Sequence, residues 1–443
     1  MGRIQEWHPE DEEFWAREGR RTAHRNLWFS ILSEHVGFSI WSLWSVLVLF
    51  MDKSYGIDPA GKFFLVAMPT LVGSFVRIPY TLAVSRFGGR TWTVVSAALL
   101  LLPTLAAAAV MHPGTSYGTF LLVAALTGLG GGNFASSMTN INAFFPARHK
   151  GWALGLNAGG GNIGVPVIQL VALGVIGWAG AGHPRLVLAV YLPLIVLAAL
   201  CAALFMDDLA VTRGDTGALR EVVRERHTWL LAVLYIGTFG SFIGFSFAFG
   251  LVLQTQFGRT PLQAAQLTFL GPLLGSLIRP VGGRLADRFG GARITFGNFG
   301  AMAAAGAVVT CASALRSLPV FLVGFVALFV FAGLGNGSTY KMIPGVFDAQ
   351  AQDRIAAGES PAAATARARR VSGAAIGVIG AVGALGGLLI NLAFRESFLT
   401  AHSGAPAFAA FLVAYAVCAA LTWAVYLRRP SAVVAEQPVP AGV

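Results

Sequence analysis

The sequence predicts an all-α membrane protein with twelve transmembrane helices in two pseudo-symmetric six-helix halves. Three observations carry that expectation: an apolar composition broken into span-length runs, a one-sided distribution of basic residues, and a segment that recurs at a constant offset. Of 443 residues, 56% are hydrophobic and 12% charged, where a soluble domain carries about 25% charged residues. A hydrocarbon core about 30 Å thick needs roughly 20 apolar residues per helix.

Runs of that length fall at 27–51, 63–84, 92–111, 117–140, 151–178, 186–206, 229–255, 262–284, 293–314, 318–340, 371–394 and 406–427. The opening "MGRIQEWHPEDEEFWAREGRRTAHRN" is polar and charged, so it reads as an arm and not a secretory leader. Cys201, Cys311 and Cys418 all lie inside apolar runs without a ligand set, which argues for packing over a disulfide or a metal site.

The net charge of +11 invites a nucleic-acid reading, but its placement points elsewhere. Setting aside Arg77 and Arg279, a twelve-span topology puts 23 Lys and Arg on one side and six on the other. The six are Lys53, Lys62, Arg185, Arg259, Arg316 and Arg395. This is the positive-inside asymmetry, and it places both termini in the cytoplasm of a protein of the cytoplasmic membrane. No nucleic-acid partner is expected.

Gly73, Ser74 and Arg77 correspond to Gly275, Ser276 and Arg279 at an offset of 202, and the same offset carries Arg86–Gly89 onto Arg288–Gly291. A fixed-offset match signals internal duplication, so spans two and eight become equivalent helices. The glycine-rich strings "GLGGGN" from 128 and "GLGNGS" from 333 repeat a pattern in spans four and ten. The expected organisation is a cytoplasmic arm (1–26), a six-helix bundle (27–208), a cytoplasmic linker (209–227), a second bundle (228–428) and a disordered cytoplasmic tail (429–443).

Arg77 and Arg279 sit far from the ends of their spans, and spans two and eight hold no acid close by. A lone intramembrane arginine is a functional feature by default. Its planar fork of N–H donors matches two coplanar oxygens, which lysine cannot do. The missing partner of this positive charge is therefore expected to be a small anion, held at the pseudo-symmetric centre where repeat-related halves meet.

Gly128, Gly132 and Ser136 share one helical face, as do Gly155 and Gly159, and such spacing lets helices pack closely in lipid. Asparagines in hydrocarbon need partners inside the bundle. Asn140 and Asn142 lie near the cytoplasmic end and read as structural, while the deeper Asn133, Asn157 and Asn162 are candidates to line a polar cavity.

The loop "GGRLADRFGGAR" (282–293) resembles that of the major facilitator superfamily. The resemblance makes Asp287 and Arg288 a tether between helices on the cytoplasmic side. The first copy has Ser85 where the acid would stand, so that half is expected to lack the tether. More narrowly, "GNFASSMTNINAFFP" and "ALGLNAGGGNIGVPVIQL" resemble the first signature of the nitrate/nitrite porters of the NarK type. "GLGNGSTYKMIPGVF" with "AAIGVIGAVGALGG" resemble the second, and "YIGTFGSFIGFSFAF" belongs to the same likeness.

The resemblance implies nitrate and nitrite as substrates, a monomer in the lipid bilayer, and aromatic walls for a flat ion at Phe134, Tyr235 and Phe239. Residues 235 and 239 are four apart, so one helical face carries both, and Tyr235 adds a hydroxyl donor. Ser338 and Ser372 are further candidates for the second-half wall.

Two buried positive charges resist closure without an anion, which favours exchange of nitrate for nitrite. The rival reading is nitrate/proton symport through Glu34 and His35, which the first span must draw inward because Gly37–Met51 is too short to cross. A nitrate sensor that does not transport is a third reading, and neither the linker nor the tail has room for a signalling domain. No phosphate loop, nucleophile triad or metal cluster appears, so neither an enzyme nor a cofactor is expected.

Overall fold

A computed structural model describes residues 2–210 and 216–428; the expected tail, 429–443, lies outside the described residues. The structure is helical, apart from one two-residue strand pair among the described residues. Ten helices are long and apolar enough to cross a membrane: α2 (Pro59–Phe87), α3 (Gly89–Val110), α4 (Tyr117–Phe144), α5 (Arg148–Ala179), α6 (Pro184–Phe205), α7 (Arg226–Phe257), α9 (Gly291–Ala314), α10 (Leu318–Ala356), α11 (Pro361–Ala401) and α12 (Ala405–Leu427).

Two more complete the twelve, α1 (Arg20–Trp41) and α8 (Leu270–Phe289). They are the charged ones. Arg20, Arg21, Arg25 and Glu34 lower the apolarity of α1, as Arg279, Arg284, Asp287 and Arg288 do for α8. Helix α1 begins seven residues before the apolar run at 27, because the last part of the arm is already helical.

The arm ahead of α1 is folded. Strand β1 (Arg3–Ile4) pairs in parallel with β2 (Asp208–Leu209), joining the arm to the end of α6. The Trp7 indole donates to the Phe144 carbonyl at 3.1 Å, and the Trp15 ring stacks on His149 at 5.7–5.9 Å from its neighbours Phe145 and His149. Asp11 caps the first helical turn through the amides of Glu13 and Phe14. Trp15, Leu27, Ile141, Phe144, Phe145 and Ala153 form a small buried core beneath these contacts.

The polar stretch 348–370 is helical, since α10 continues to Ala356 and α11 starts at Pro361. The linker contributes a short helix, Thr216–Arg224. Its Glu221 accepts from Arg367 and Arg370, and its neighbour Glu225 accepts from Gln350 at 3.0 Å.

The chain divides into two compact units, Met1–Gly214 with Ser246–Leu273, and Asp215–Phe245 with Leu274–Val443. In the first, Gln169 donates to the Ser246 carbonyl at 3.0 Å.

The offset of 202 reappears as packing. A Cβ on Gly131 would lie 2.9 Å from the Gly73 Cα, where α4 crosses α2. In the other unit, a Cβ on Gly333 would collide with Gly275, where α10 crosses α8. One residue on, Gly132 touches the Tyr80 ring, and Leu334 contacts Gly282 through its carbonyl. Each of these four positions is 202 from its counterpart. The structural register therefore pairs Gly131 with Gly333, three residues away from the alignment that the strings at 128 and 333 suggest.

Two sequence expectations change here. Gly155 and Gly159 face open space; the close contacts of α5 are made by Gly160, against Ile31, Gly161, against the Glu34 side chain, and Gly164, against the His35 carbonyl. Phase along the helix decides this, and spacing alone does not reveal which small-residue face meets a neighbour.

The first half also has its own tether at the corresponding end of its helices. Asp287 pairs with Lys341 at 2.7 Å in the second half. In the first, Asp208 accepts from the Thr91 amide at 3.2 Å and its hydroxyl at 2.8 Å, holding the α3 N-terminus. The acid comes from after α6, so local comparison with Ser85 misses it.

Candidate functional site

Each half contains one buried guanidinium set against aromatic rings. In the first, α2 carries Arg77, which is fully buried. Its Cζ lies 4.8 Å from the centre of the Phe134 ring on α4 and 5.3 Å from that of Trp41 on α1. These are cation–π distances, and desolvation strengthens such contacts.

The position of Trp41 follows from local chemistry. Its indole N–H donates to the Pro69 carbonyl at 2.8 Å, and Gly73 has no side chain to block the approach. Phe38 packs edge-on against both Trp41 and Phe134, and Phe247 does the same to Trp41. Phe134 was legible from the family resemblance. Trp41 was not, because nothing in the run 27–51 sets it apart from Trp28 and Trp44.

In the second half, α8 carries Arg279, which is 5% exposed. Its Cζ lies 5.7 Å from the Tyr340 ring on α10, and its Nη1 is buried without a hydrogen-bond acceptor. Among the described residues Arg279 makes no ion pair. Tyr340 sits 5.8 Å from Tyr235, which stacks on Phe239 at 5.1 Å and 13°.

Tyr235 and Phe239 do share a face, though the turn joining them is π-helical, over Ile236–Gly240. Such wide turns recur at functional sites because they re-aim side chains. Gly383 on α11 makes room for the Tyr235 ring, and Gly240 meets Gly386 backbone to backbone.

The polar candidates divide. Asn162 is 1% exposed and neither of its amide atoms has a hydrogen-bond partner. Asn133 donates to the Ser33 carbonyl at 3.5 Å, a contact between α4 and α1. Asn157 donates at 2.6 Å to both the Glu34 carboxylate and the Ser137 hydroxyl, which in turn meets Ser30 at 2.9 Å. Glu34 is fully buried within this network, while His35 is half-buried with Nδ1 3.3 Å from the Gly160 carbonyl.

In the second half, the Ser338 hydroxyl lies 2.9 Å from Thr295 and donates to the Gly335 carbonyl at 3.2 Å, so it ties α10 to α9. Ser372, on α11, is 7% exposed. Arg288 lies over the Phe289 ring at 5.0 Å, beside the Asp287–Lys341 pair. No cluster of His, Cys, Asp or Glu able to hold a metal occurs among the described residues.

Two repeated six-helix halves, each with a buried, aromatic-faced guanidinium on the same helix, are the framework of a membrane carrier. The pattern of the Major Facilitator Superfamily matches residues 27–390. The chain belongs to that superfamily and, within it, to the nitrate/nitrite porters of the NarK type.

It is 39% identical over 447 residues to "Nitrate/nitrite transporter NarU" of Escherichia coli, covering 96% of each chain. It is 35% identical to "Probable nitrate/nitrite antiporter NarK2" of Thermus thermophilus, covering 78% of this chain and 83% of the relative. Among solved structures it is similar to the xylose transporter XylE from E. coli, with a TM-score of 0.65 at 14% identity over 92% of this chain and 98% of the other. That last likeness concerns the fold alone.

Proposed function

We propose that the protein carries nitrate inward in exchange for nitrite by alternating access, with Arg77 and Arg279 serving one anion. The carrying observation is that Arg279 is buried in a membrane helix with an unsatisfied Nη1 and, among the described residues, no carboxylate pair, beside an aromatic face. Arg77 has the same helix position, burial and kind of neighbour. A buried charge left uncompensated is strongly unfavourable, so an anion bound there both neutralises the site and permits reorientation. Nitrate suits the site because it is flat: its oxygens meet a planar fork edge-on while its faces meet rings. The names of the relatives support the substrate pair.

Exchange follows from the charge. An emptied site must be refilled by an anion before it turns over, and nitrite is the returning ion. Both termini face the cytoplasm, on the basic-residue asymmetry, and the working unit is a monomer in the cytoplasmic membrane.

The second reading, nitrate/proton symport, is kept because Glu34 is a fully buried acid held by Asn157. Counterflow in nitrite-loaded proteoliposomes, with and without an imposed pH gradient, separates the two. Nitrite-driven nitrate entry that ignores the gradient supports exchange. Entry into nitrite-free vesicles driven by external acid supports symport.

A further inference from the structure

Among the differences between the two halves, one falls at the ring nearest Arg77. In the first, Phe134 supplies the ring over Arg77. The packing register, in which Gly131 and Gly132 answer to Gly333 and Leu334, places Asn336 at the position of Phe134. Where one half presents a ring, the other presents an amide.

Asn336 is fully buried, and neither its Nδ2 nor its Oδ1 has a hydrogen-bond partner. Such a group in a membrane protein normally serves as glue between helices. Asn391 does so, donating to the carbonyls of Gly387 at 2.8 Å and Gly244 at 3.4 Å, and Asn157 does so through Glu34 and Ser137. Asn336 makes no bond of this kind. A wholly unsatisfied buried amide calls for an explanation.

Its neighbours indicate where it points. Gly337, the next residue, lies against the Arg279 carbonyl, so α10 and α8 touch backbone to backbone at this level. Tyr340, one turn along on the same face, is the ring over Arg279. Gly335 faces the other way, towards Asn298 and Thr238. Asn336 therefore lies on the face of α10 that carries Tyr340, at the level where α10 meets α8.

We propose that Asn336 donates its Nδ2–H to the anion held at Arg279 and sets the preference between nitrate and nitrite. This rests on the reading of Arg279 as an anion site. Nitrite has two oxygens, and a guanidinium fork engages both. Nitrate presents the same pair and a third, in the same plane, which the amide is placed to receive. Donors matched to a substrate oxygen discriminate strongly against an analogue that lacks it, because they are then left unpaired.

The test compares wild type with Asn336→Leu, which keeps the volume and removes the amide, and with Asn336→Ser, which keeps a shorter donor. Half-saturation for sodium nitrate and for sodium nitrite is measured by counterflow in proteoliposomes, scaled to the amount of inserted protein. The leucine variant is expected to raise the nitrate value about tenfold, one lost hydrogen bond to an ion, and to leave nitrite within about threefold. The serine variant should shift nitrate in the same direction by less, and it carries the comparison if the leucine variant does not reconstitute.

Wild-type values for nitrate in the reconstituted variants overturn the proposal, as does an equal loss for both anions. Failure of the wild-type protein to take up either anion would instead remove the reading of the Arg279 site on which this one stands.

Discussion

Arg77→Lys is the most discriminating substitution in the first half, because it keeps the charge and removes the shape. Arg77 is fully buried, with Phe134 and Trp41 at 4.8 Å and 5.3 Å from its Cζ. An ammonium can still be attracted to both rings, so insertion and folding should survive. It cannot present two parallel N–H groups to one flat ion, and one charge-assisted hydrogen bond is lost. Such a bond contributes about 1.5–3 kcal/mol. At about 1.4 kcal/mol per decade, half-saturation for nitrate rises roughly 10- to 150-fold. At nitrate well below the wild-type half-saturation, uptake should fall to a tenth or less. Counterflow into nitrite-loaded proteoliposomes, normalised to inserted protein, measures it. Uptake within twofold of wild type under those conditions would refute the bidentate reasoning, since charge alone would then suffice.

Glu34→Gln keeps a hydrogen-bonding partner for Asn157; nitrite-driven exchange should persist unchanged, and a wild-type acid-driven uptake abolished by this variant would transfer the case to symport. Gly333→Val forces a branched side chain into the Gly275 backbone; overpacking of this kind costs about 1–3 kcal/mol, seen as a lower melting temperature in detergent, and an unchanged melting temperature would mean that α8 and α10 are less closely apposed. Asp208→Ala removes the cap on the Thr91 amide; it should lower stability by about 1 kcal/mol with the nitrate half-saturation unaltered, and a change in half-saturation without a loss of stability would contradict a purely structural role.

Much of this architecture is readable from the string because lipid imposes simple rules. Span length reflects a single dominant free-energy term, and the duplicated arginine segment marks two equivalent helices. The partners of buried polar groups follow no such rule. Asn133, Asn157 and Asn162 look alike in sequence, yet Asn133 bonds the Ser33 carbonyl, Asn157 bonds Glu34 and Ser137, and Asn162 bonds neither way. The difference lies in the rotational phase of α4 and α5 against α1, which no local pattern encodes.

The same limit hid Asn336. Matching glycine strings by composition aligns 128 with 333, whereas the backbone crossings align 131 with 333, and only the latter makes the amide the repeat counterpart of Phe134. Trp41 was hidden for a different reason. Its role depends on a gap left by Gly73, on another helix.

The crossings at Gly73–Gly131 and Gly275–Gly333 also bear on how such a carrier can move. Main chain rests directly on main chain there, with no flexible group in between to absorb a slide. Each couple of helices is thus one stiff strut, with its guanidinium and that cation's nearest ring mounted on it together. In the proposed cycle, whatever bends must do so outside these struts, and each guanidinium keeps its ring throughout.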